Sequence, residues 1–164
     1  MKRFGIAVAL SSLACGAIAQ EKPLTPPEGA KPLFELTAHG VQVYACEEKD
    51  KAYAWVFQEP AATLFDAEGR QVGTHSKGPT WTLSDGSSVT AEVISKQASP
   101  QQGAVPWLLL DVKSHEGSGR LTDAAYILRV DTRGGAEPAG GCEESQKGET
   151  ARIRYSASYK FFGK

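Results

Sequence analysis

The sequence predicts an all-β protein, either a single-domain β-sandwich or a flattened β-barrel, with one disulfide. Short β-type runs follow one another along the chain, and turn residues separate them. No apolar period near 3.6 marks a helix, and 17 glycines and 9 prolines interrupt any long helical stretch. Many short strands at this spacing are typical of sandwiches and barrels, and we expect roughly eight to ten of them.

The individual strands are predicted from alternation and from turn chemistry. Val41, Val43 and Ala45 share one face of the first run, and apolar residues alternate with polar ones through the last run. The turn at Asp85-Gly86 lies between two β-prone runs and favours a hairpin. Trp107 to Leu110 are consecutive apolar residues, which is typical of a strand covered on both faces. The predicted strands are residues 41–46, 52–57, 62–65, 71–74, 81–83, 88–95, 105–112, 124–132 and 151–162.

Residues 1–19 have the layout of a cleavable secretion signal. Lys2 and Arg3 give a positive start, residues 4–13 are small or apolar, and residues 17–19 form a small–x–small cleavage site. The apolar run is too short to span a bilayer, and the alternative is a buried N-terminal helix. We therefore expect cleavage before Gln20 and a secreted or periplasmic protein.

Two features qualify the expected organisation of the exported chain. Cys15 could carry a lipid anchor, although Ser12 stands where a lipobox has a large aliphatic residue. Residues 20–32 are rich in proline and read as a linker. Residues 33–164 are then expected to form one β-rich domain.

Charge and hydropathy exclude two classes of partner. Without Lys2 and Arg3, 16 basic residues face 19 acidic ones, so the net charge of the exported chain is about −3. The charges are mixed along the chain and form no basic stripe of the kind that nucleic acid requires. No other apolar run approaches the length of a transmembrane segment. We expect no nucleic-acid partner, and nothing in the sequence sets the oligomeric state.

Cys46 and Cys142 are the two cysteines that remain after the signal. In an oxidising compartment an isolated pair is most simply a disulfide. Free buried thiols or metal ligands are the alternatives, but no CxxC or Cys–His spacing supports a metal.

His75, Trp81 and Asp85 are the candidate ligand-binding residues. His75 ends a predicted strand just before the turn at Gly78-Pro79, and the other two residues follow on the next hairpin. An aromatic face beside a carboxylate and an imidazole suits a small molecule or a carbohydrate. In the alternative interpretation Trp81 packs in the core and Asp85 caps its own turn.

Other chemistry has weaker support in the sequence. His39, His75 and His115 show no HxH or HxxxH spacing, so we expect no metal and no cofactor. No G-x-S-x-G elbow is present. Arg129 lies within an apolar strand, and the sequence leaves open whether it points outward or pairs with a carboxylate. The carboxyls that a glycosidase could use are candidates by type only, namely Asp66, Asp85, Glu92, Asp111 and Asp131.

The order of several motifs resembles an uncharacterised family of secreted bacterial and fungal proteins, domain of unknown function three-four-five-five. The resemblance covers roughly residues 34–162 and implies export, a single β-rich domain and a Cys46–Cys142 pair. It implies no activity. The motifs are His75-Ser76-Lys77-Gly78-Pro79-Thr80-Trp81, Asp85-Gly86-Ser87, Pro106-Trp107-Leu108-Leu109-Leu110, Tyr126-Ile127-Leu128-Arg129-Val130, and Gly134-Gly135 through Gly141-Cys142.

The function that these features favour is non-enzymatic: a secreted small-ligand or envelope-associated binding module. A secreted hydrolase acting on a carbohydrate or an ester is the first alternative, and a metal-binding redox protein is the second. A glycosidase requires two converging carboxylates, one of them with a raised pKa. A redox protein requires the histidines to meet in space.

Overall fold

The computed structural model describes residues 24–164 and shows a closed barrel of eight antiparallel strands. The strands follow one another around the barrel in chain order, and the last strand pairs with the first. The predicted all-β class is confirmed in its barrel form. The strands are β1 (Lys31–Lys49), β2 (Ala52–Phe65), β3 (Gln71–Ser76), β4 (Thr80–Leu83), β5 (Ser88–Gln97), β6 (Trp107–Glu116), β7 (Tyr126–Gly134) and β8 (Thr150–Gly163).

The predicted secretion signal, residues 1–19, lies outside the described residues. Within residues 24–164 the helical structure is a single 3-10 turn at Glu144–Gln146. No helix in this part of the chain is long and apolar enough to cross a membrane. The first strand begins at Lys31, two residues before the predicted start of the domain.

Alternation decides which side chains fill the barrel. On β8 the predicted pattern is confirmed, since Tyr155, Ala157, Tyr159 and Phe161 are all buried. On β1 the interior is lined by even-numbered residues, although Val43, on the face that it shares with Val41 and Ala45, is buried as well. Those buried even-numbered residues are Leu36, Ala38, Gln42, Tyr44 and Cys46. A polar residue, Gln42, therefore lies inside the barrel.

The hairpin of β3 and β4 is short and leaves a window in the barrel wall. β3 pairs with β2 only at residues 62–65, and β4 pairs with β5 only at residues 88–90. Within residues 24–164, positions 52–61 of β2 and 91–97 of β5 consequently have no strand partner on the sides that face each other. The turn at residues 77–79, which joins β3 to β4, forms one border of this window.

β2 is one strand where the sequence predicted two, at residues 52–57 and 62–65. Glu59 and Pro60 lie between the two predicted runs. In the structure Pro60 pairs with Gln42 of β1 and has no β3 partner on its other side. Proline has no amide hydrogen to donate to a neighbouring strand. Along an unpaired edge no ladder hydrogen bond needs that donor, so the proline is tolerated there.

The predicted disulfide is confirmed. Cys46 of β1 and Cys142 of the loop between β7 and β8 are bonded, with their Cα atoms 5.4 Å apart. Backbone hydrogen bonds from Cys46 to Glu149 and from Gly148 to Cys46 fix the end of the same loop. The loop is therefore held against β1 at the end of the barrel that contains the window.

An apolar cluster fills the rest of the interior. Its buried side chains come from every strand except β3, whose half-buried Val72 packs against the cluster. Trp81 belongs to this cluster and contacts Phe161 edge to face, with ring centroids 6.5 Å apart. The buried polar side chains Gln42, His75 and Arg129 lie toward the window instead.

Candidate ligand-binding cavity

A cavity of about 320 Å³ lies at the window. This volume is at the small end of the range for small-molecule sites, and an eight-stranded barrel has room for one such ligand. Seven of the eight strands and the β3–β4 turn contribute to its wall. The lining residues are Gln42, Phe57, Gln58, Pro60, His75, Lys77, Gly78, Pro79, Trp81, Leu108, Leu110, Arg129 and Tyr159.

His75 and Trp81 form a stacked pair in this wall. They are direct partners across β3 and β4, and their ring centroids lie 4.2 Å apart with an interplanar angle of 17°. His75 Nδ1 lies 2.9 Å from the backbone oxygen of Thr80. Because a carbonyl oxygen only accepts, Nδ1 carries the proton in the neutral ring and Nε2 remains an acceptor.

Burial lowers the pKa of His75 to about 3. Desolvation is the main cause, because the imidazolium would lose its hydration inside the barrel. The hydrogen bond to Thr80 opposes the shift, and the charge of Arg129 adds to it. At neutral pH His75 is therefore an uncharged aromatic side chain.

This pKa predicts that mild acid destabilises the fold. Between the unfolded pKa near 6.5 and the folded pKa of about 3, the unfolded chain binds more protons, so stability falls as pH falls. Lowering the pH from 7 to 5 should reduce the free energy of unfolding by about 2 kcal/mol, measured by urea denaturation. His75→Gln should remove most of this dependence, and His115→Gln should retain it. An unchanged pH dependence in His75→Gln would contradict the assignment.

Three buried polar atoms of the wall have no hydrogen-bond partner within residues 24–164. They are Nε2 of Gln42, Nε1 of Trp81 and the hydroxyl of Tyr159. Burial raises the pKa of Tyr159, and the nearby Arg129 and Tyr155 partly offset the rise. Neither neighbour reaches the Tyr159 hydroxyl with hydrogen-bond geometry. Since nearly all buried polar groups are normally paired, these three are available to a guest molecule or to water.

Arg129 is the buried cation of the wall, with 9% of its surface exposed. On its strand it lies between its pairing partners Leu108 of β6 and Tyr159 of β8. Nε and Nη2 both donate to the backbone oxygen of Pro106, at 3.1 and 2.8 Å. The Arg129 side chain therefore points into the barrel, which answers the question that the sequence left open.

Asp85 lies apart from the other two predicted site residues. It occupies the β4–β5 turn, at the opposite end of β4 from the turn that borders the cavity, and it does not line the cavity. Its carboxylate accepts hydrogen bonds from the backbone and hydroxyl of Ser87 and from the backbone of Arg120. The Arg120 and Ser87 hydrogen bonds hold the pKa of Asp85 below its usual range. Asp85 therefore caps its own turn through Ser87 and also binds the loop that contains Arg120.

The histidines lie on three different strands. His39 of β1 packs against Phe65, and His115 of β6 has Nε2 2.7 Å from the backbone oxygen of Ala124. His75 is inside the barrel. Within residues 24–164 no group of three or more His, Cys, Asp or Glu side chains could hold a metal ion.

The candidate carboxyls do not line the cavity. Asp66 accepts hydrogen bonds from the side chain and backbone of Arg70, and the Arg70 side chain is the main reason that its pKa is lowered. The pKa of Asp85 is lowered as well. A glycosidase acid requires the opposite shift.

Of two other concavities, one lies directly beside this cavity and one lies at the opposite end of the barrel. A second space of about 510 Å³ shares Gln42, Phe57, Leu108 and Arg129 with it, so the two are neighbours. A groove of about 660 Å³, lined by Asp111 and His115 among others, lies at the opposite end of the barrel. The groove is larger, but its side chains are mostly exposed and it contains none of the unpartnered buried donors.

The fold and the cavity define a closed eight-stranded β-barrel with space for a small molecule at one end. The chain belongs to the family described as "Protein of unknown function (DUF3455)", whose model matches residues 26–163. This match confirms the family resemblance found in the sequence. Comparison with curated proteins and with solved structures gave no match.

Proposed function

We propose that this protein is an exported binding module that holds one small organic molecule in the cavity at the window. The observation that carries the proposal is a cavity of about 320 Å³ whose wall contains three buried polar atoms without a hydrogen-bond partner in the described part of the chain. A buried polar group left unsatisfied costs about 1–3 kcal/mol. A guest that pairs with these groups recovers that free energy, which gives binding a direct driving force.

The rest of the wall favours a molecule with an apolar, flat body. Leu108, Leu110 and Pro60 present apolar surface, and the stacked rings of His75 and Trp81 present a broad aromatic one. Aromatic faces of this kind contribute large buried area to a ligand contact. The half-exposed Phe57 lies on the unpaired edge of β2, beside the entrance.

Export is part of the same proposal. The layout of residues 1–19 supports it, and so does the Cys46–Cys142 disulfide. Disulfides persist in oxidising compartments and are rare in the cytosol. We propose that the domain works outside the cytoplasmic membrane, either secreted or in the periplasm.

The proposal is tested with the neutral fluorescent probe N-phenyl-1-naphthylamine. We expect saturable binding with one site per chain, and we expect Leu108→Trp to weaken it about tenfold or more because the larger ring fills the cavity. Leu33→Trp is the matched control, since Leu33 is exposed and lines the groove at the other end. Loss of binding in Leu33→Trp alone would place the site in that groove and contradict the proposal, as would no binding at all.

A further inference from the structure

Arg129 is a buried cation that forms no ion pair with another side chain of residues 24–164. Its two described hydrogen bonds both go to one backbone oxygen, that of Pro106. The ion pairs within residues 24–164 involve other residues, and none includes Arg129. A buried charge is normally paired, because removing it from water is costly unless an opposite charge compensates.

The described wall of the candidate cavity supplies no negative charge. Lys77, at the rim, is a second cation, and His75 is uncharged. Within residues 24–164 no aspartate or glutamate lines the cavity. Glu137 lines the adjoining space together with Arg129, and the charges of both act on Tyr44. The wall therefore carries a positive formal charge that a guest can neutralise.

The unpartnered atoms of the wall also favour a negatively charged guest. The Gln42 amide nitrogen and the Trp81 indole nitrogen can only donate, and the Tyr159 hydroxyl can donate as well. Oxygen anions accept such hydrogen bonds strongly, and the planar guanidinium of arginine matches the two oxygens of a carboxylate. The hydrogen-bond donors and the positive charge of the wall therefore both favour a carboxylate group on the ligand.

We propose that the natural guest is a small organic acid, with its carboxylate against Arg129 and a flat apolar body against Trp81, Leu108 and Leu110. This inference rests on the proposed function and adds the chemical class of the ligand. The volume of about 320 Å³ restricts the guest to a molecule of one or two rings or a comparable short chain.

The test compares two probes of nearly equal shape, 2-naphthoate and 2-naphthamide, by isothermal titration calorimetry on the full exported chain. We expect the anion to bind about 10- to 100-fold more tightly, the range that one charge-assisted contact supplies. Equal affinities would overturn the carboxylate inference and leave the binding module intact. If neither probe nor N-phenyl-1-naphthylamine binds, the proposed function itself fails.

Variants test whether Arg129 is the residue that causes the preference for the anionic probe. Arg129→Gln should abolish the difference in affinity between the two probes, whereas Arg129→Lys should restore part of it. Lys77→Gln is the matched control, because Lys77 is exposed at the rim and should change the difference much less. An undiminished preference in folded Arg129→Gln would overturn the assignment. Where that variant does not fold, the two-probe comparison on the unmodified protein still decides whether the guest is an anion.

Discussion

Replacing Trp81 with alanine should lower the free energy of unfolding by about 3–5 kcal/mol. Trp81 is 1% exposed and belongs to the apolar cluster of the barrel. Its ring stacks on His75 and meets Tyr159 and Phe161 edge to face. Truncation removes all three contacts and leaves a void beside an existing cavity. Equilibrium unfolding in urea at pH 7 measures the loss.

Trp55→Ala is the control for this prediction. Trp55 is only half-buried, and its indole nitrogen donates to the backbone oxygen of Gly140 at 2.9 Å. The same change in residue type should therefore cost clearly less at position 55 than at position 81. Equal losses, or a loss below about 1 kcal/mol for Trp81→Ala, would show that Trp81 is not a packed core residue.

Removing the disulfide should have an effect of similar size. Cys46→Ala should lower the free energy of unfolding by about 2–5 kcal/mol, because the bond closes a loop with a sequence separation of 96. The chain-entropy account sets about 4.7 kcal/mol as the upper guide for such a loop. The loop around Cys142 should also lose its attachment to β1. Thermal melts with and without a reducing agent measure the same quantity on the unmodified protein.

An intact-mass measurement accompanies that experiment. Protein purified from an exporting host should begin at Gln20 and weigh two hydrogens less than the chain with both thiols reduced. A melting temperature that the reducing agent leaves unchanged would contradict a stabilising role for the Cys46–Cys142 bond. A mass that includes residues 1–19 would contradict processing of the predicted signal.

The sequence is most informative about the fold where local patterning decides the structure. Alternation along β8 predicts its buried face, because a strand that packs on one side must repeat with period two. The same rule does not say which face of β1 lies inside. Val41, Val43 and Ala45 share one face, but the strand continues from Lys31 to Lys49 and keeps its even-numbered face inside. Leu36 and Ala38 are apolar and lie on that even-numbered face, and they are the sequence signal that places Gln42 in the interior.

The site is only partly predictable because it combines local and distant residues. His75 and Trp81 meet because a tight turn makes them partners on adjacent strands. Asp85 is as near in sequence, but the four residues of β4 carry the chain to the other end of the barrel before it. Gln42, Arg129 and Tyr159 come together only when the barrel closes. Sequence patterns contain no information on that closure, since it depends on how the strands tilt and stagger.

The pairing of β1 with β8 has a consequence for the order in which the chain acquires its structure. β1 is the first strand to be made, and its partners along one side are residues of β8, from Thr150 to Gly163. While a chain emerges from the ribosome, β1 can pair with β2 but must wait for almost the entire remaining sequence before its second edge is satisfied. Contacts of such high sequence separation slow folding. The nascent domain is therefore an open sheet whose first strand has one unpaired edge, and it becomes a barrel only after the last strand has been synthesised.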